Sequence, residues 1–299
     1  MDQTIQEALA TIPAADEVEI AFFGGSFTGI DRDLMIRLLT TAEKYVTLGR
    51  VEAIRLSTRP DYISSEILEI LSRYSVKHIE LGLQSMEDTV LSACRRGHTR
   101  EQAMDACRAV VEAGFSLTGQ MMIGLPNATP ESEIETAKLI CDLGASSARI
   151  YPTVVFYDTP LAELTKHLAY QPLSVEEAAV RSAEALRVFL AHGVNVIRIG
   201  LCASEGLTSP EKVMAGPNHP ALGELVWNEY YYQRIYKSLL EKNLLGRTVT
   251  LTVPCGSISK AVGQRRCNLE RLLRETGTKI QGVKECMTVT DVLIDPLPE

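Results

Sequence analysis

Phe22-Phe23-Gly24-Gly25-Ser26-Phe27 closes a β-rich run, Val18–Phe23, with two glycines, a hydroxyl and an aromatic ring. Other runs end in the same manner. Val51–Ser57 leads into Thr58-Arg59-Pro60-Asp61, and His78–Leu83 into Gln84-Ser85. Ser116–Ile123 leads into Gly124-Leu125-Pro126, Ala148–Val155 into Tyr157-Asp158, and Asn195–Leu201 into Cys202-Ala203-Ser204. A punctuated helical stretch follows each run. Strand–helix alternation predicts a parallel sheet. In a barrel of such units, binding and reacting groups collect on the loops at the carboxyl ends of the strands. The polar and glycine residues of this chain fall at those ends, so the scaffold reads as that of an enzyme.

The chain has 299 residues, enough for one large core and a smaller appendage. Its content, 45% hydrophobic and 23% charged, is that of an ordinary globular protein. No apolar run approaches the roughly 20 residues that span a bilayer, and no secretory signal is evident, so a cytoplasmic location is expected. The seven cysteines are odd in number and scattered, which suits reduced thiols better than a disulfide framework or a zinc site. A net charge of −8 argues against a surface that coats nucleic acid everywhere.

Helix boundaries are legible. Asp31 caps a helix predicted to reach about Gly49, and Thr99 with Gln102 and Ser174 with Glu177 fit capping boxes. Pro130 suits a first helical position, and Gly114, Gly144 and Gly193 suit C-terminal caps. Near Ser204 the organisation changes to a loop rich in glycine and proline. A helix over Ala221–Glu241 follows, then a strand at Thr248–Val253, a helical region at Ser257–Glu275, and strands at Lys279–Lys284 and Val289–Ile294. Residues 1–205 are therefore expected to form the barrel and residues 206–299 a small α+β domain. Trp227 and Tyr230-Tyr231-Tyr232 read as packing of their helix onto the barrel.

The strand-end residues suit a zwitterionic small molecule. Gly24 and Gly25 let a polar group approach bare main chain, Ser26 adds a hydroxyl, and Gln84 an amide. Arg96 can return a guanidinium to the same mouth for a carboxylate. Gln120 points inward or outward according to strand register.

Taken in order, Phe22-Phe23-Gly24-Gly25-Ser26-Phe27, Ser57-Thr58-Arg59-Pro60-Asp61-Tyr62, Glu80-Leu81-Gly82-Leu83-Gln84-Ser85, Arg95-Arg96-Gly97-His98-Thr99 and Met121-Met122-Ile123-Gly124-Leu125-Pro126 resemble the radical S-adenosylmethionine enzymes. The branch most similar is that of the Elongator catalytic subunit; oxygen-independent coproporphyrinogen oxidase is a more distant relative. The resemblance runs from about Glu19 to Leu201. It implies a partial (β/α)6 TIM-like barrel that binds S-adenosylmethionine across its open top. Carried over, Gly24, Gly25, Ser26 and Phe27 match the segment at the methionine amino group. Gln84 and Arg96 match positions near ribose and carboxylate, and Thr58, Gln120 and Tyr151 line the same pocket. The family's chemistry is cleavage of the sulfonium by a [4Fe–4S] cluster, which generates a 5′-deoxyadenosyl radical.

The family holds that cluster with Cys-x-x-x-Cys-x-x-Cys after its first barrel strand, and iron–sulfur clusters need such thiolates. This sequence contains no such motif. Val18–Phe23 matches the family's second strand, and Asp2–Thr11 the end of the helix before it. The expectation is a barrel lacking its first strand, with Val18–Phe23 as an open edge. Two origins are weighed: an artificial or misassigned start, and a protein naturally shortened that has lost radical chemistry. Cluster ligation by the remaining cysteines is disfavoured, with Cys202 the only one at a strand end. The polypeptide as it stands is not expected to cleave S-adenosylmethionine. The alternative to an Elongator-like enzyme acting on RNA is a non-catalytic remnant that binds a nucleoside or RNA.

The stretch from Val253 to Ile280 resembles a KH RNA-binding module, whose backbone clamp is Gly-x-x-Gly between two helices. Here it reads Gly263-Gln264-Arg265-Arg266, so arginine replaces the second glycine. Lys260, Gly263, Gln264, Arg265 and Arg266 are the implied RNA contacts, with transfer RNA the expected partner by analogy and neither membrane nor DNA expected. From Lys242 to Lys284 there are nine basic residues and two acidic ones, a local basic surface on an acidic protein.

Overall fold

The computed structural model describes residues 1–13, 16–201 and 211–297. Among these the strands are β1 (Glu19–Phe22), β2 (Ala53–Thr58), β3 (Val76–Gln84), β4 (Ser116–Ile123), β5 (Ser147–Pro152), β6 (Val155–Phe156), β7 (Asn195–Ile199), β8 (Val213–Ala215), β9 (Thr248–Pro254), β10 (Lys279–Cys286) and β11 (Leu293–Pro296). The α-helices are α1 (Asp2–Thr11), α2 (Arg32–Thr47), α3 (Ser65–Leu71), α4 (Asp88–Ala93), α5 (Arg100–Glu112), α6 (Pro130–Asp142), α7 (Pro160–Lys166), α8 (Val175–Ala191), α9 (Leu222–Glu241), α10 (Ile258–Val262) and α11 (Cys267–Thr276). The chain divides into two compact units, residues 1–151 with 188–198, and residues 152–187 with 199–299.

A curled parallel sheet in the order β1-β2-β3-β4-β5-β7 forms the half-barrel. Strand β1 stands at one end of this order and pairs with β2. Central strands buried on both faces read as continuous apolar runs. In β3, every residue from Ile79 to Gln84 is buried. The helices that return the chain between strands start and stop where local chemistry says they should. The Asp31 side chain accepts from Leu34 N–H, and Thr99 with Gln102 closes a reciprocal capping box. The Ser174–Glu177 pair does the same, and Pro130 opens α6. Each side-chain cap stabilises its helix by about 1 kcal/mol. Gly114, Gly144 and Gly193 all have positive φ just past helix ends, as C-terminal caps.

Two sequence expectations are corrected. The run Ala148–Val155 is not one strand: it breaks after Pro152, and β6 pairs antiparallel with β8 instead. The last strand is not Val289–Ile294 but Leu293–Pro296, because β10 continues to Cys286 and a turn with Val289 N–H on the Cys286 carbonyl occupies the intervening residues. The predicted loop Cys202-Ala203-Ser204 and the predicted boundary at 205/206 lie outside the described residues.

The second unit contains a three-stranded sheet in the order β10-β9-β11, with β10 parallel and β11 antiparallel to β9. Val249, Leu251 and Val253 of β9 are fully buried in a core with Ile235, Leu239, Leu272 and Ile294. Tyr231 and Tyr232 belong to this core, with Trp227 and Tyr230 packed against it. That packing accounts for the aromatic cluster that the sequence assigned to the barrel.

Candidate functional site

The carboxyl end of β3 is where the polar side chains of the first unit meet. Gln84 closes the strand with φ +67, and the register against β4 shifts between Gly82 and Gln84. This turns the Gln84 amide toward β4, where its oxygen accepts from Gln120 Nε2 at 2.9 Å. Gly82 lies beneath. A methyl group on it would stand 2.8 Å from Gln84 Nε2, and 3.7 Å from both Arg96 Nη2 and the Thr58 carbonyl oxygen. Gln84, Arg96 and the end of β2 therefore converge over a residue whose lack of a side chain makes room for them. The question of which way Gln120 points is answered: toward Gln84.

Arg96 comes to this place from the turn after α4. Among the described residues its Nη2 makes only a long contact to the Gly82 carbonyl oxygen, 3.4 Å, and its buried Nε has no hydrogen-bond partner. Buried donors are nearly always paired, so the unmet Nε–H marks a place for an acceptor. Burial, and then the nearby Arg59 cation, push the Arg96 pKa down. A carboxylate would relieve both effects. Arg59 itself is held by a two-pronged pair with Asp61, at 2.9 and 2.7 Å, and lies over the Tyr62 ring. Any Cβ at Gly97 would overlap its guanidinium.

The glycine loop is open on its outer side. Gly24 has φ +100, and a Cβ at Gly24 or Gly25 would meet nothing within 4 Å. Ser26 leads into a short 3-10 turn over Phe27–Gly29. Phe27 is buried and stacks on Phe22 with ring centroids 4.3 Å apart, so its side chain anchors the loop. Thr58 is engaged in the same anchoring. Thr28 gives its one hydroxyl proton to the Tyr62 carbonyl, so in the 2.6 Å Thr28–Thr58 contact Thr58 is the donor. Thr58 thus ties the glycine loop to the end of β2.

A polar set that the sequence reading missed lies beside Tyr151. Arg149 Nε donates to Glu80 Oε2 at 2.8 Å, Arg149 Nη1 donates to the Tyr151 hydroxyl at 3.2 Å, and the guanidinium lies 5.3 Å from the Phe23 ring centroid. Glu80 is only 4% exposed. Burial pushes its pKa up, and Arg149 pulls it back down. The signal was period-two spacing: Glu80 and Gly82 share one face of β3, and Arg149 and Tyr151 one face of β5. His98, near the same turn as Arg96, is buried and bonds the Leu83 carbonyl through Nε2. Burial lowers its pKa.

In the second unit, Lys260, Gly263, Gln264, Arg265 and Arg266 meet at the turn from α10 to α11. Gly263 has φ +77, and a Cβ there would reach Asn268 N at 3.0 Å. Arg265 and Arg266 are both left-handed, φ +51 and +66. Gln264 donates to Glu224 at 2.7 Å, and Lys260 Nζ lies 4.2 Å from the Trp227 ring centroid.

Among the described residues, no group of three or more His, Cys, Asp or Glu side chains could hold a metal. The described cysteines are unpaired and dispersed over different elements. The residues described fit an amino acid or nucleoside ligand, but they do not fit an iron–sulfur cluster.

Comparison with known proteins places these features in context. The family model described as the radical SAM superfamily matches residues 2–140, and that of the radical SAM C-terminal domain matches residues 145–232. The tRNA uridine(34) acetyltransferase of Methanocaldococcus infernus is 30% identical over 183 residues, 54% of this chain and 34% of the relative. Elongator complex protein 3 of Saccharomyces cerevisiae is 28% identical over 179 residues, 53% of this chain and 32% of the relative. The chain spans about a third of the length of these curated relatives. Among solved structures, the archaeal Methanocaldococcus infernus Elp3 with N-terminus deletion (1-46) superposes with a TM-score of 0.63 at 23% identity, covering 82% of this chain and 60% of that one. That likeness shows the fold.

Proposed function

The chain belongs to the radical S-adenosylmethionine superfamily, and on that premise we propose that it is of the Elongator-like branch, that its half-barrel binds S-adenosylmethionine and that its second unit binds RNA. In this reading Arg96 takes the carboxylate, and Gly24, Gly25 and Ser26 receive the amino group. Phe27 and Thr58 hold that loop in place. Gln84, backed by Gln120, meets the ribose, and Tyr151 closes the same pocket. The observation that carries the reading is the buried, unmet Nε–H of Arg96 beside the Gln84–Gln120 amide pair.

The second unit contributes Lys260, Gly263, Gln264, Arg265 and Arg266 as an RNA-facing turn, with transfer RNA as the partner suggested by the relatives' names. The fit of the described residues favours binding over radical chemistry in this polypeptide. In the family, the cluster would supply the electron that cleaves the sulfonium. Cytoplasmic residence remains part of the proposal; among the described residues no helix is long and apolar enough to cross a membrane.

Titration calorimetry with S-adenosylmethionine tests the reading. Arg96→Ala removes a charge-assisted contact and is expected to weaken binding about tenfold or more. Equal affinity in the parent and in Arg96→Ala would remove the pocket from the account. Anaerobic loading with iron and sulfide, followed by a 5′-deoxyadenosine assay, is expected to give no product. Product formation would overturn the non-catalytic reading.

A further inference from the structure

The three-stranded sheet of the second unit has two unlike faces. Val249, Leu251 and Val253 point into the helical core, so Thr248, Thr250 and Thr252 share the opposite face of β9. Their hydroxyls form a row spaced about 6.6 Å apart. None of the three makes a side-chain hydrogen bond among the described residues; Thr248 and Thr250 are half-buried, whereas Thr252 is buried at 6% exposure.

The neighbouring β10 carries a bulge, with the register shifting between Ile280 and Gly282. Its effect is on charge. Lys279 and Lys284 are five positions apart, and in a regular strand that odd spacing would send them to opposite faces. The bulge absorbs one residue. Lys279 then pairs with Thr248 and Lys284 with Thr252, while Ile280 and Val283 both turn to the core beside Val249 and Leu251. Both lysines therefore flank the threonine row, about 13 Å apart along it. They are exposed, and neither has an ion-pair partner among the described residues.

Three arginines of this unit are engaged. Arg271 pairs with Glu229 and Glu275, Arg274 with Glu275, and Arg234 with Asp291. Strand β11 brings Leu293 opposite Thr252 and Asp295 opposite Thr250. Positive charge thus rises across the sheet from β11 to β10, whose outer edge is unpaired.

We propose that this face, Lys279 and Lys284 with the hydroxyls of Thr248 and Thr250, is a docking surface for the sugar–phosphate backbone of RNA. The inference rests on the RNA-binding reading above and adds a second surface to the α10–α11 turn. Unpaired lysines supply the salt-dependent attraction to phosphates. Threonine hydroxyls, which donate to phosphate oxygens, supply register without base selection. The surface takes an RNA backbone irrespective of sequence.

Fluorescence anisotropy with a transfer RNA transcript, and with an unrelated single-stranded RNA of equal length, tests this over a range of salt concentrations. Lys279→Glu/Lys284→Glu is expected to weaken both RNAs about tenfold or more and to reduce the salt slope by about two. Thr250→Val, which adds no charge, is expected to weaken both a few-fold (roughly two to five). Lys237→Glu, on α9, is the charge control and is expected to bind nearly as the parent does. Melting curves identify any variant that fails to fold. If the parent binds RNA and the double lysine variant binds equally well, the surface is wrong while the RNA reading stands. The surface is equally wrong if Lys237→Glu loses as much as the double variant, or if Thr250→Val changes nothing. If the parent binds neither RNA, both fall.

Discussion

Gly82→Ala separates the ligand site from the fold that carries it. The added methyl would lie 2.8 Å from Gln84 Nε2. Ordinary contact begins near 3.4 Å, so one of the two must give by about 0.6 Å. The atom in the way is the free end of an unbranched amide, and it can swing aside. The other neighbours, Arg96 Nη2 and the Thr58 carbonyl, are at a comfortable 3.7 Å. Swinging Gln84 breaks its bond to Gln120, which costs about 0.5–1.5 kcal/mol of stability and no more. It also moves the amide off the ligand, one hydrogen bond of about 0.5–1.5 kcal/mol, or roughly a 2- to 13-fold loss of affinity for S-adenosylmethionine. Gly119→Ala supplies the contrast. Its methyl would stand 2.5 Å from Ile140 Cγ2. That branched side chain is fully buried and has nowhere to go, so a loss of about 1–3 kcal/mol of stability is expected. Calorimetric binding and denaturant melts on both variants distinguish the two effects. Gly82→Ala binding as tightly as the parent, or Gly119→Ala melting as the parent does, would contradict these roles for the two glycines.

Other outcomes follow from the same geometry. Breaking the buried pair with Arg149→Met leaves Glu80 without its cation and should cost about 3–5 kcal/mol; Glu80→Gln/Arg149→Met should recover part of it, and a double variant no more stable than the single one would rule out a paired role. Burial holds His98 below its usual pKa of 6.5, so below that pH the unfolded chain binds a proton that the folded one refuses. The stability His98 confers is present above pH 6.5 and is lost as pH falls from there; His98→Gln should flatten that limb of the melting-temperature profile, and an unchanged profile would reject it. Burial pushes the Cys107 thiol up to about 12 and the Cys141 thiol up to about 11, whereas hydrogen bonds to Thr288 lower that of Cys286. Peptide mapping after brief alkylation should find Cys286 labelled well before Cys107, and the reverse order would show the assignment wrong.

Much of the half-barrel could be read from local chemistry alone. Ser116–Ile123 is a strand to the residue, and the capping box at Thr99 and Pro130 mark where α5 and α6 begin. These features depend on neighbours a few positions apart, which a sequence displays. The break at Pro152 was hidden because Val154 and Val155 continue the apolar pattern, although the partner of the new strand Val155–Phe156, namely Val213–Ala215, lies far along the chain. The site divides in the same way. Gln84 stood out as a polar residue at a strand end, and Arg96 as a cation one short helix later. Glu80 did not, because its meaning depends on Arg149, 69 residues away, and a buried carboxylate cannot be told from an exposed one without that partner. Nor could spacing reveal that Thr58 gives its proton to Thr28, since that follows from where Thr28 sends its own.

Arg265 and Arg266 hold two successive left-handed conformations, which side-chain-bearing residues resist by roughly 1–2 kcal/mol apiece. Glycine would relax that tension without altering the path of the backbone. A lineage drifting under selection for thermal robustness alone would be drawn toward glycine at both positions. Keeping arginine there instead holds two exposed positive charges at the apex of a sharp bend, at a standing cost in backbone conformation.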